Sequence, residues 1–227
     1  MINEIDNVRT MTADERIILG DKHGNVERAN HIVVRDTATG EILFKRRNLV
    51  VRNGREFLLR KAFNLPYTSE TTTQLGARYL CLFGIGSGGT PVSSPFQPIA
   101  PTPADQDLNT KVAFRNATTA NPLPDADKLK YFDTAAVNGG TAYYKKTFTS
   151  TNMVMDTAAD NYYVKTTLEI NELDARGSLI SEIGMFTARV ENGAYNDIKL
   201  FSRITFDTES LNANTGKGLT IDYYVYA

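Results

Sequence analysis

Apolar and polar residues alternate along much of the chain. Val164, Thr166, Leu168 and Ile170 fall on one side of an extended backbone, and Lys165, Thr167 and Glu169 on the other. Leu200, Ser202, Ile204 and Phe206 alternate with Phe201, Arg203 and Thr205. Leu219, Ile221, Tyr223 and Val225 alternate with Thr220, Asp222, Tyr224 and Tyr226. A period of two in β-branched and aromatic residues predicts half-buried strands, because successive strand side chains point to opposite faces. Turn residues separate these runs at 174–177, 191–193 and 212–216, and Asn192-Gly193 suits the left-handed backbone of a tight hairpin. The C-terminal third therefore reads as an antiparallel meander of about four strands. Upstream, 31–35 and 41–45 flank the turn 36–40, and further strands are expected at 78–83, 111–115, 129–133 and 141–149.

Residues 53–64 break the alternation. Phe57, Leu58, Ala62 and Leu65 share a face at helical spacing, Asn53 can cap the first turn with Glu56 reaching back, and Pro66 supplies the stop. A second break is the irregular stretch 84–124. Pro91, Pro95, Pro98, Pro101 and Pro103, five of the chain's eight prolines, stiffen its first half. It reads equally as an ordinary surface crossover or as a strap suited to lie along a neighbour. The expected fold is mainly β: an antiparallel, jelly-roll-like β-sandwich with one short helix and a long proline-rich loop. Residues 31–227 would form one domain, and residues 1–30 an N-terminal arm.

Gly84, Gly86 and Gly89 satisfy G-x-G-x-x-G after a plausible strand. A dinucleotide site needs a helix next, whose N-terminus holds the pyrophosphate. The prolines forbid that helix, so no cofactor is expected. Gly84, Gly86, Gly88 and Gly89 read instead as a pliant strand exit.

Composition narrows the chemistry further. The 227 residues carry 25 Lys and Arg against 26 Asp and Glu, so no general basic field points to nucleic acid. The single cysteine, Cys81, rules out an internal disulfide and a cysteine cluster. His23 and His31, the two histidines, lack metal-ligand spacing, and no metal site is expected. No nucleophile elbow, P-loop or calcium loop is present, so no catalytic residue is assigned. The first residues lack the pattern of a secretion signal, and no apolar run approaches the length of a membrane span.

One local charge excess stands out. Lys45, Arg46, Arg47, Arg52, Arg55, Arg60 and Lys61 face a single anion, Glu56. This is either a solvated face or a docking surface for an acidic partner, to which arginine forks are suited. Adjacent tyrosines at 143–144, 162–163 and 223–224 put one ring of each pair on either side of a strand. The outward ring could serve a protein interface or a sugar platform.

Two segments carry a resemblance. Asn48-Leu-Val-Val-Arg-Asn-Gly-Arg-Glu-Phe-Leu-Leu59, followed by Tyr79-Leu-Cys-Leu-Phe-Gly-Ile-Gly-Ser-Gly-Gly-Thr-Pro91 and the Pro- and Asp-rich 101–108, is similar to tailed-bacteriophage virion proteins. The ending, with Ile183-Gly-Met-Phe186, Leu200–Phe206 and Gly218–Val225, also resembles phage tail, baseplate and fibre-attachment proteins with small β-sandwich domains. The resemblance covers 48–227. It implies a structural subunit of tail, baseplate or neck, assembled in the host cytoplasm with copies of itself and other virion proteins. It implies no enzyme activity, nucleic-acid ligand or membrane anchor. The candidate interface is then the basic segment with the Gly84–Pro103 stretch. A carbohydrate-binding module that recognises a host glycan is the alternative, and a polysaccharide-degrading enzyme the third reading.

Overall fold

A computed structural model describes residues 30–156, 161–171, 173–210 and 218–226. The arm expected over 1–30, apart from Asn30, and the turn at 212–216 lie outside the described residues. The chain is mainly β, with two antiparallel sheets and little helix. The described residues divide into two compact units, one of residues 30–48, 148–156, 161–171 and 218–226, the other of 49–147 and 173–210.

The first unit holds a five-stranded sheet. Its strands are β1 (His31–Asp36), β2 (Ile42–Arg47), β9 (Ser150–Asp156), β10 (Asn161–Ile170) and β13 (Leu219–Tyr226), in the order β2-β1-β13-β10-β9. The β1–β2 turn forms because Asp36 Oδ1 accepts the Ala38 and Thr39 amides at 2.9 Å each, with Gly40 at φ 73°. Alternation read the facing correctly here. Thr166, Leu168, Ile170, Leu219, Ile221 and Tyr223 are buried, and Glu169 is exposed. The buried Asp222 is matched by Lys165 at 3.0 Å and the Thr167 hydroxyl at 2.9 Å.

The second unit holds an eight-stranded sheet. It comprises β3 (Leu49–Val50), β4 (Arg78–Gly86), β5 (Lys111–Val112), β6 (Arg115–Thr118), β7 (Tyr131–Val137), β8 (Gly140–Thr147), β11 (Leu179–Glu191) and β12 (Ala194–Ser210). The path runs β3-β12-β11-β4-β8-β6, with β5 added to β4 and β7 to β8. Val51, Leu82, Leu108, Phe186, Ala188 and Leu200 form its core cluster. Helix α1 (Arg52–Phe63) packs Phe57 edge-on against Phe201, with ring centroids 6.1 Å apart. A short α2 (Thr72–Gly76) follows.

The differences from expectation have physical causes. The C-terminal strands are no single meander: β11 and β12 form a hairpin through Asn192 and Gly193, at φ 51° and 76°, whereas β10 and β13 pair in the other sheet. Alternation tells which way a residue faces and leaves its partner strand open. Residues 200–206 of β12 are buried on both sides, because Phe201 lies under α1 while Arg203 and Thr205 lie under the proline-rich loop. Helix α1 starts one residue before Asn53, at Arg52, and its cap, Val51, offers no side-chain bond. Glu56 pairs with Arg60 instead of reaching back. Leu58, Ala62 and Leu65, expected on the packed face, are exposed. The strand expected at 111–115 is present as two short ones, β5 and β6, the second reaching Thr118, so the continuous loop spans 87–110.

Candidate functional site

The strap 87–110 is fastened to its own unit at several points. Ser87 donates its amide to the Thr110 carbonyl at 2.9 Å, which closes the neck where β4 ends and β5 begins. Glu182, fully buried on β11, is the main anchor. Its carboxylate accepts the amides of Gly88 at 3.2 Å, Asn109 at 3.3 Å and Thr110 at 3.0 Å. It also accepts from Arg203 Nε of β12 at 2.8 Å. Arg203 Nη1 reaches onward to Asp105 Oδ2 at 2.7 Å. Charge-assisted bonds to a saturated, buried carboxylate are the strong kind, and removal of one partner leaves the other charge uncompensated.

The middle of the strap is held by backbone groups. Ile99 donates to the Gly89 carbonyl at 2.7 Å, and Thr205 Oγ1 donates to the Ile99 carbonyl at 2.8 Å. The Pro103 carbonyl accepts the Arg52 amide at 2.9 Å, which satisfies one of the unpaired N–H groups at the start of α1. Burial alone would raise the Asp105 pKa, but hydrogen bonds from Thr102 and Arg203 outweigh it and hold the carboxyl below its ordinary value.

The candidate interface residues divide between the two units. Lys45, Arg46 and Arg47 lie on β2 of the first unit, whereas Arg52, Arg55 and Arg60 lie on α1 of the second. Arg55 Nε donates to the Val50 carbonyl at 3.0 Å. Arg60 is used internally, on Glu56, on the Pro66 carbonyl at 2.7 Å and over the Tyr67 ring at 4.5 Å. Gly84, Gly86 and Gly89 are buried and Gly88 is half-buried. Pro91, Pro95 and Pro101 are half-buried, and Pro98 and Pro103 exposed.

Several large apolar side chains of the second unit face solvent. On α1, Leu59 is 62% and Phe63 69% exposed, with Leu58 and Leu65 beside them in sequence also exposed. On the strap, Phe96 is 78% exposed and Val92 fully so. An open groove of about 570 Å³ lies elsewhere in this unit, lined by Thr118, Leu123, Pro124, Asp125, Thr141 and Tyr143 among others.

Sequence reasoning missed the Glu182–Arg203–Asp105 clip. Its signal was present: a glutamate and an arginine inside apolar strand runs are rarely buried unless paired. It also missed buried Arg78, which binds Glu70 and Asp197. Burial pushes the Cys81 thiol up to about 11, which leaves it a poor nucleophile. Among the described residues no three His, Cys, Asp or Glu side chains gather as a metal site, and no helix is long and apolar enough to cross a membrane. Comparison with protein-family models, curated proteins and solved structures gives no match.

Proposed function

We propose that the chain is a structural subunit of a tailed-bacteriophage virion, placed in tail, baseplate or neck, and that it works by protein–protein assembly. The observation that carries the assembly reading is the solvent side of α1. The helix already buries Phe57 against β12, yet it presents Leu58, Leu59, Phe63 and nearby Leu65 to water. Apolar residues grouped on one exposed element are the mark of a contact surface. The virion setting comes from the resemblance of 48–91 and of the chain's ending to phage tail proteins. Its partners are copies of itself and other virion proteins.

The test is mass in solution with a paired variant. The intact chain is expected to form an oligomer, and Leu59→Glu with Phe63→Glu to shift it to monomer with an unchanged circular dichroism spectrum. A wild-type monomer at all concentrations would remove self-assembly from the proposal. Proteomics of purified particles tests the setting: absence of the chain from phage virions would falsify it.

A second reading, glycan binding, is favoured by the groove. It sets one aromatic ring, Tyr143, among the hydroxyls of Thr118 and Thr141 and the Asp125 carboxylate. Binding on a glycan array that is lost in Tyr143→Ala would support that reading over pure assembly.

A further inference from the structure

Lys145 of β8 is the most unusual charged residue in the second unit. Its side chain is 1% exposed, and its amine makes no hydrogen bond of good geometry. The Phe186 ring lies 4.0 Å from Nζ. The stem passes Gly84 of β4, where an added Cβ would meet Lys145 Cδ at 3.3 Å, so the missing side chain at Gly84 makes room for it. Two carboxylates approach the amine: Asp133 Oδ2 at 3.2 Å and Asp107 Oδ1 at 3.7 Å.

Asp133 is held in an unusual way. It lies on β7, which pairs with β8 through Phe132 opposite Lys145 and Thr134 opposite Tyr143. Strict alternation would set Asp133 opposite Tyr144, on the face away from Lys145. Its φ of 55° breaks the alternation, and its carboxylate reaches the Lys145 amine. A non-glycine residue in the left-handed region is strained, and such strain gathers at sites that do chemistry. The two carboxylates are also not equivalent. Lys111 Nζ sits 2.6 Å from Asp107 and 3.9 Å from Asp133, so Asp107 has the closer second cation.

We infer that Lys145 and Asp133 condense to an intramolecular isopeptide bond, with Asp107 as the proton carrier. Proton exchange within the ion pair gives a neutral amine beside a neutral carboxyl. The amine lone pair attacks Asp133 Cγ, and the C–N bond forms. Asp107 takes the proton released from nitrogen and passes it to the departing Asp133 hydroxyl. That hydroxyl leaves as water, Asp107 is restored, and no oxidant or co-reactant is needed. Asp107 and Asp133 keep part of their surface open, which gives the water an exit.

The environment favours each step. Burial pushes the Lys145 amine below its ordinary value, although Asp107 and Asp133 pull it up. A buried lysine with a lowered pKa is the usual amine nucleophile in proteins. The fold holds the amine in salt-bridge contact with the Asp133 carboxylate, so much of the entropy of bringing the two groups together is already supplied.

The experiment is the intact mass of the full chain under denaturing conditions. The wild type is expected to be lighter than its sequence by one water. A protease digest should yield a branched peptide joining the segments around 133 and 145, with no tryptic cleavage after Lys145. Lys145→Arg and Asp133→Ala should each restore the sequence mass, and Asp107→Ala should slow the mass loss during incubation. A wild-type chain that stays at the sequence mass after prolonged incubation overturns the inference. A water loss mapped to any other residue overturns it too. Linkage at the wild-type rate in Asp107→Ala removes Asp107 from the step.

Discussion

A Cβ added to Gly89 would run into the carbonyl of Ser181, and one added to Gly86 into Glu182 and the Thr110 carbonyl. Neither glycine has a positive φ; the described glycines that do are Gly40, Gly139, Gly177 and Gly193. The G-x-G-x-x-G spacing therefore records close approach between the strap neck and β11, and not a special backbone conformation. Gly89→Ala must displace backbone, and a strain of about 1–3 kcal/mol is expected. A thermal melt matching wild type would count against this packing. Glu182 makes a larger demand. Glu182→Gln keeps the shape but leaves Arg203 short of a buried countercharge, a change that costs about 3–5 kcal/mol. The double change Glu182→Gln with Arg203→Met should recover part of that loss in chemical denaturation. Independent, additive losses would show that the two residues do not act as a pair.

At the level of elements, the strap is a loop fastened at both ends and at its middle, and its acid-sensitive attachment is Asp105. That carboxyl is held below its ordinary value in the fold, so its contribution is complete above the unfolded value. It is lost as pH falls through the depressed folded value. The Ile99 amide should therefore lose hydrogen-exchange protection in acid, below about pH 4. Constant protection into strong acid would show that Asp105 does not hold the strap. Helix α1 depends on one ring: Phe57→Ala removes its edge contact with Phe201 and should cost about 3–5 kcal/mol. How far such elements could be read in advance varied with the range of the interaction involved. Strands β10 and β13 were legible because their alternation is local and one face is apolar, and β1 and β2 because a turn sequence separates two apolar runs. The start of α2 was legible too, in the capping box Thr71-x-x-Gln74, though no helix was expected there. The double burial of β12 was not, because it depends on a helix and a strap more than ninety residues away in sequence. The strap clip was only half legible: buried charges in apolar runs announce a partner, but nothing local says which.

At the level of the whole molecule, sequence order and sheet order part company in both units, and in the first a single strand decides the outcome. Strand β13 is the last of the described strands in sequence but the central one of the sheet, paired with β1 on one side and β10 on the other. Without it the five-stranded sheet falls into two hairpins, β1–β2 and β9–β10, and an isolated two-stranded hairpin is at best marginal in water. The loss is also chemical. Asp222 would no longer face Lys165 and Arg35, and Asn48 Nδ2 would lose the Tyr223 hydroxyl at 2.6 Å. The second unit takes none of its strands from 219–226. Deletion of 219–226 should therefore remove hydrogen-exchange protection from the amides of β1 and β10 while those of β4 and β11 stay protected. Protection retained at Ile32, Val34 and Leu168 in the truncated chain would mean that the first sheet holds without its central strand. Loss of protection at Phe83 and Met185 as well would mean that the two units fold as one cooperative body.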